Sequence, residues 1–133
     1  MKKDKDKGKN YYPIYNKKGK ASYYVDHDKI HIYDWAGNPL CFVEKGAIFN
    51  FSAVLLGWLD EGWVRDREGK CVGFVESGPG GPNPPRTKPP TSPPAEKKEP
   101  PEKPAVEPLT ERAPRRPVWS ALSDAELFSP RKR

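Results

Sequence analysis

One short pattern recurs four times between Ile14 and Gly78, and this repetition restricts the fold more than any other feature of the chain. Unit one runs Ile14-Tyr15-Asn16-Lys17-Lys18-Gly19 and reaches Tyr24-Val25-Asp26. Unit two runs Ile32-Tyr33-Asp34-Trp35-Ala36-Gly37 and reaches Phe42-Val43-Glu44. Units three and four run Ile48-Phe49-Asn50-Phe51-Ser52-Ala53 to Trp58-Leu59-Asp60, and Val64-Arg65-Asp66-Arg67-Glu68-Gly69 to Phe74-Val75-Glu76. The units start 18, 16 and 16 residues apart, and in each the aromatic–aliphatic–acidic triplet begins ten residues after the opening Ile or Val.

Each recurring residue type has a mechanical reading. Asn or Asp three residues before Gly19, Gly37 and Gly69 suits a type I turn with glycine in the left-handed position. Ala53 breaks this rule and predicts a strained third turn, because a Cβ at positive φ costs energy. Gly46, Gly62 and Gly78 mark a second turn at the end of each of the last three units. Strand and turn therefore alternate throughout, predicting an all-β fold of eight antiparallel strands in four pseudo-symmetric hairpins around a common core. Ile14, Val25, Ile32, Val43, Ile48, Leu59, Val64 and Val75 are the expected core, with the ring of aromatics cementing neighbouring units. Residue parity counted through the two turns disagrees, so a bulge or sharp twist is expected near Tyr23, Cys41, Gly57 and Gly73.

At these residues the chain resembles the bacterial 4-fold beta flower domain. The resemblance covers residues 13–78 and is strongest over Trp58-Leu59-Asp60-Glu61-Gly62-Trp63-Val64-Arg65-Asp66 and from Asp66 to Phe74. It implies the four-hairpin fold and brings no activity, cofactor or ligand set with it. Ala53, Arg65 and the longer first unit depart from the pattern. A looser similarity, at Gly57-Trp58, is to choline-binding cell-wall repeats, which need an aromatic cage between units.

Fourteen of the 17 prolines lie between Pro79 and Pro117, a stretch almost without aromatic or β-branched residues. Such a segment is expected to be a disordered, extended spacer over 79–117. The composition changes again at 118–133, where Ser123 and Glu126 form a capping box for a short helical turn. Trp119, Ser120, Leu122, Glu126, Leu127 and Phe128 are read there as a tethered recognition motif for a protein partner, with docking back onto the β-module as the competing reading.

The net charge of +6 divides into +3 over residues 1–10, −1 over 11–78 and +4 over 79–133. The predicted module is nearly neutral and its basic excess sits in the tails, including a basic N-terminal segment expected to be disordered. Nucleic-acid association through Lys2 to Lys9 and Arg112 to Arg133 is therefore the alternative to a protein-interaction role, and a carbohydrate-binding repeat ranks behind both. Cys41 and Cys71 lack metal-like spacing and are read as free thiols. No apolar leader or membrane-length run is present, so a cytoplasmic location without membrane attachment is the default expectation. His27, Asp28 and His31 are too few for a metal centre, and the recurring Asp26, Glu44, Asp60 and Glu76 could bind a cation only if they converged. With no nucleophile elbow, phosphate loop or dinucleotide fingerprint, the reading is a non-enzymatic protein without cofactor.

Overall fold

The same turn chemistry operates in all four hairpins. In the computed structural model, which describes residues 11–107 and 112–128, the Asn16 side-chain oxygen accepts the Lys18 and Lys20 amides at 2.9 and 3.0 Å. Asn50 does so for Ser52 and Val54, Asp66 for Glu68 and Lys70, and Asp34 for Asn38. Gly19, Gly37 and Gly69 close these turns at φ of 80°, 88° and 86°, and Ala53 is held in the same left-handed region at 66°. The second turns place both central residues at positive φ, Lys45-Gly46 and Glu61-Gly62, as a tight hairpin of the strands' own twist requires.

The strands are β1 (Tyr11–Asn16), β2 (Ala21–Asp26), β3 (His31–Asp34), β4 (Pro39–Glu44), β5 (Ala47–Asn50), β6 (Leu55–Asp60), β7 (Trp63–Arg65) and β8 (Cys71–Phe74). All neighbours are antiparallel, and β8 pairs back onto β1 through Tyr15 opposite Phe74, closing an eight-stranded barrel. Every first-turn hairpin carries a register shift at one place, between the opening aliphatic residue and the residue after it. The extra residue is Ser22, Leu40, Leu56 or Val72, next to the positions where conflicting parity required one. The shift lets Leu40 and Val43, Leu56 and Leu59, and Val72 and Val75 pack on one interior despite their odd spacing.

Ile14, Ile32, Ile48 and Val64 form the centre of the barrel at 0% exposure. Val25 is buried beside them, whereas Val43, Leu59 and Val75 are partly buried at the second-turn end. Gly57 and Gly73 stand where the other units have Tyr23 and Cys41. A Cβ on Gly57 would strike the Arg65 carbonyl, and one on Gly73 would lie 2.8 Å from the Tyr15 carbonyl. Cys41 belongs to this interior and Cys71 to the outer layer; both are free and buried, and burial raises both thiol pKa values.

The triplet aromatics Tyr24, Phe42, Trp58 and Phe74 take the alternate, outer face. They pair with neighbouring strands, Tyr24 stacking on Tyr33 at 5.5 Å and Phe42 on Phe49 at 5.8 Å. All four are nevertheless buried, because the proline-rich chain lies over the outside of the barrel. Here the expectation of a disordered spacer is corrected. The Lys88 amide bonds the Gly19 carbonyl, Lys98 bonds Gly37 and Arg116 bonds Gly69, all at 2.9–3.0 Å. Val106 and Ala113 pack against the Phe42–Trp58 cluster, and the Trp35 indole donates to the Ser92 carbonyl. Proline supplies the reason: an extended segment that loses little further entropy can be held by few contacts per residue.

Three of the four acids that end the units are gripped by this belt. Lys97 meets Asp26 at 2.8 Å, Lys103 meets Glu44 at 3.7 Å, and Arg115 meets Asp60 at 2.7 Å. The bond to Asp26 raises the Lys97 pKa; burial pushes the Asp60 carboxyl up, but Arg115 and its neighbours outweigh this and hold it low. These acids face outward and do not converge on the axis as a cation site. Arg65, the unit-four departure from an aromatic, is 2% exposed and fastens both ends of the belt. Its guanidinium donates to the Gly80 carbonyl at 2.7 Å, to Arg116 at 3.1 Å and to its own turn at Gly69 at 2.8 Å.

Two substitutions test this account. Ala53→Gly should stabilise the protein by about 0.5–1 kcal/mol in urea unfolding, since relief of left-handed strain exceeds the added unfolded-state entropy. Arg65→Met should cost about 3 kcal/mol by leaving the Gly80 and Arg116 carbonyls without their guanidinium donor and removing its bond to the Gly69 carbonyl of turn four. In limited proteolysis it should speed cleavage within 80–116, and unchanged protection there would contradict the fastening role.

Candidate functional site

Residues 118–128 dock on the first-turn end of the barrel, and this docked peptide is the candidate site. It enters as a short parallel pairing beside β8, with the Cys71 amide bonded to the Val118 carbonyl at 2.9 Å and the Ser120 amide to the Cys71 carbonyl at 2.7 Å. The Trp119 ring meets Trp63 edge-on, with centroids 5.8 Å apart. The Ser120 hydroxyl donates to the second oxygen of Asp66, whose first oxygen already organises turn four. One carboxylate thus builds the turn and receives the peptide.

The chain then forms α1 (Asp124–Phe128), a single helical turn. The capping box read in the sequence is present: the Glu126 amide donates to Ser123 Oγ at 3.1 Å, and the Ser123 amide to the Glu126 carboxylate at 2.8 Å. A helix of this length is unstable alone, and its support here is tertiary. Leu127 and Phe128, 4% and 2% exposed, enter the interior cluster beside Leu56 and Val72, and the Phe128 ring lies 5.0 Å from that of Tyr23. They plug the barrel at its first-turn mouth.

Of the six motif residues, Ser120, Leu127 and Phe128 are buried and Trp119 is half-buried against the protein's own barrel. Leu122 and Glu126 remain exposed, beside an exposed Val118. Asp124 is buried with one oxygen accepting the Ala125 amide at 2.9 Å and the other without a partner among the described residues. Burial raises its pKa, against the opposing pull of the Ala125 amide, Asn16 and Lys20. Arg65 and the second function of Asp66 escaped the sequence reading. The only hint of either was that Arg65 interrupts an aromatic series.

The other candidates take structural places. Asp28 accepts the Ile30 and His31 amides and binds His31 Nδ1 at 2.7 Å, ordering the two-residue insertion. Among the described residues no three His, Cys, Asp or Glu side chains gather as a metal site. The aromatics of the repeats, Tyr24, Phe42, Trp58 and Phe74, are buried at 5% exposure or less. Arg112 and Arg115 serve Asp60 rather than forming a loose basic arm, while Lys2 to Lys9 and Arg131 to Arg133 lie outside the described residues. No described helix is long and apolar enough to cross a membrane.

A family model described as 4-fold beta flower protein matches residues 12–128. The chain belongs to the 4-fold beta flower family. The match extends through the belt and the plug, so in this beta flower protein the segments after Gly78 are part of the family unit and not an appendage to four hairpins. No curated protein and no solved structure matches the chain.

The buried Asp124 carboxyl makes the docking pH-dependent. Because its folded-state pKa is raised, its contribution favours the docked state fully at low pH and is lost as pH rises through that pKa. Asp124→Asn should therefore match the parent near pH 3.5 and be the more stable of the two at pH 7, measured by thermal unfolding. Equal midpoints at both pH values would mean that the carboxyl is not buried by docking.

Proposed function

We propose that this beta flower protein is a non-enzymatic interaction module whose barrel is a receptor for a peptide of the Trp-Ser-Ala-Leu-Ser-Asp-Ala-Glu-Leu-Phe type, held in cis by its own C-terminal segment. The supporting observation is the way that segment binds. It is recognised by side chains distributed along it: Trp119 on Trp63, Ser120 on Asp66, and Leu127 and Phe128 in the mouth. This is the recognition pattern of a helix-in-groove ligand with a short strand leader. A tethered ligand acts at an effective concentration of order millimolar, so a partner peptide of ordinary affinity gains access only when the plug is loosened or the partner binds more tightly. In the displaced state the freed motif is itself available to a second partner, which makes the protein an adaptor.

Competition in trans tests this reading. A fluorescent peptide spanning 117–128 should bind the full-length Leu127→Ala/Phe128→Ala protein at least tenfold more tightly than it binds the parent chain. The double variant must retain cooperative unfolding for the comparison to count. Absence of peptide binding to a folded variant would remove the receptor reading. Pull-downs with a chain lacking 119–128 then address the adaptor role, which requires loss of a partner captured by the full chain.

A further inference from the structure

The belt brings together positive charges that are far apart in sequence. Pairing of Lys20 with Lys88, and the 2.9 Å bond from the Lys88 amide to Gly19, set Arg86 and Lys88 against Lys17, Lys18 and Lys20 of turn one. The Arg86 carbonyl lies against Gly19 itself, so the contact is backbone on backbone and leaves the side chains outside. All five basic residues are exposed. Four of the belt's other cations meet acids, Lys97 at Asp26, Lys103 at Glu44, and Arg112 and Arg115 at Asp60, while Lys98 bonds the Asn38 side-chain oxygen at 2.7 Å. At turn one the described residues contain no ion pair for any of the five. Lys20 exerts a minor lowering influence on the buried Asp124 carboxyl of the docked peptide.

Turn one also differs from its three counterparts. The two residues before its closing position are Lys17-Lys18, where the others have Trp35-Ala36, Phe51-Ser52 and Arg67-Glu68. A gathering of like charges opposes folding, and the fold neutralises belt cations where acids are available. The uncompensated sector is thus a surface suited to an anionic polymer. It offers mobile cations without an exposed aromatic platform or a row of side chains able to read base edges, so its contacts would fall on phosphates.

We propose that the Lys17, Lys18, Lys20, Arg86 and Lys88 sector of the barrel rim binds the phosphate backbone of nucleic acid without sequence readout. The position differs from that expected of basic arms at the chain ends and adjoins the docked peptide, because Lys17 and Lys18 line one cleft with Trp119 to Asp124. The probe is a fluorescein-labelled 20-base-pair DNA duplex, titrated with the full-length protein at several salt concentrations. Affinity should fall steeply with salt, with a log–log slope of about −3 to −4 for four neutralised phosphates. Lys17→Glu/Lys18→Glu/Lys20→Glu should weaken binding at least tenfold and flatten that slope, while Lys29→Glu/Lys45→Glu on the opposite turns should leave affinity within twofold. Both variants alter exposed turn residues, and a milder Lys17→Gln/Lys18→Gln variant gives the same readout if the triple change perturbs folding. No duplex binding at low salt, or equal losses in both variants, would overturn the proposal. So would binding indifferent to the turn-one changes, which would assign the contact to the chain ends. Equal, turn-one-dependent capture by vesicles containing about 30% phosphatidylserine would also overturn it, making the surface a lipid contact.

Discussion

Every hairpin of this barrel has two apolar faces, and both must be covered. The inner face is satisfied by closure: Ile14, Ile32, Ile48 and Val64 meet at the centre, and the added residue in each returning strand turns a second aliphatic row toward them. Closure does nothing for the outer ring of Tyr24, Phe42, Trp58 and Phe74, which would leave apolar surface well beyond what a soluble monomer usually exposes. The belt solves that second problem. Its backbone lies against the turn glycines, its cations reach Asp26, Glu44 and Asp60, and its sparse apolar residues meet the Phe42–Trp58 cluster.

Pseudo-symmetry is broken where the chain needs something that repetition cannot supply. A belt that begins and ends at one place requires a single fastening, and Arg65 occupies the position where units one to three have an aromatic. The barrel has two mouths but one C-terminus, and the mouth at the first turns receives Leu127 and Phe128. The other end is floored by Val43, Leu59 and Val75, which are only partly buried. Unit three keeps the turn geometry without its glycine, at the conformational cost of Ala53.

The hairpins were legible because their determinants are local. An Asx side chain and a glycine three residues later specify a turn without reference to distant chain, and conflicting residue parity pointed to a bulge or sharp twist near Tyr23, Cys41, Gly57 and Gly73, of which the bulge is found. The capping box at Ser123 and Glu126 was legible for the same reason. The course of residues 79–117 was not, because its attachment rests on backbone amides and on cation–acid pairs spanning up to 71 positions in sequence. Composition correctly indicated that the segment lacks a core of its own, but a chain without a core can still be ordered on another surface. The same limit left two destinations open for Trp119, Leu127 and Phe128, since apolarity states that residues will be covered and not by what.

Arg65 holds the carbonyls of Gly80 and Arg116 with one guanidinium, so the chain between them is a closed circuit. The entropy of closing a loop of this size is roughly 3 kcal/mol and is incurred once, at the fastening, rather than anew for each lysine that finds its acid. Within the circuit a broken contact leaves its partners nearby and re-forms readily. Opening within it is therefore a local fluctuation, while release of the whole belt requires the Arg65 bonds and the neighbouring backbone bonds, Arg116 to Gly69 and Cys71 to Val118, to part together.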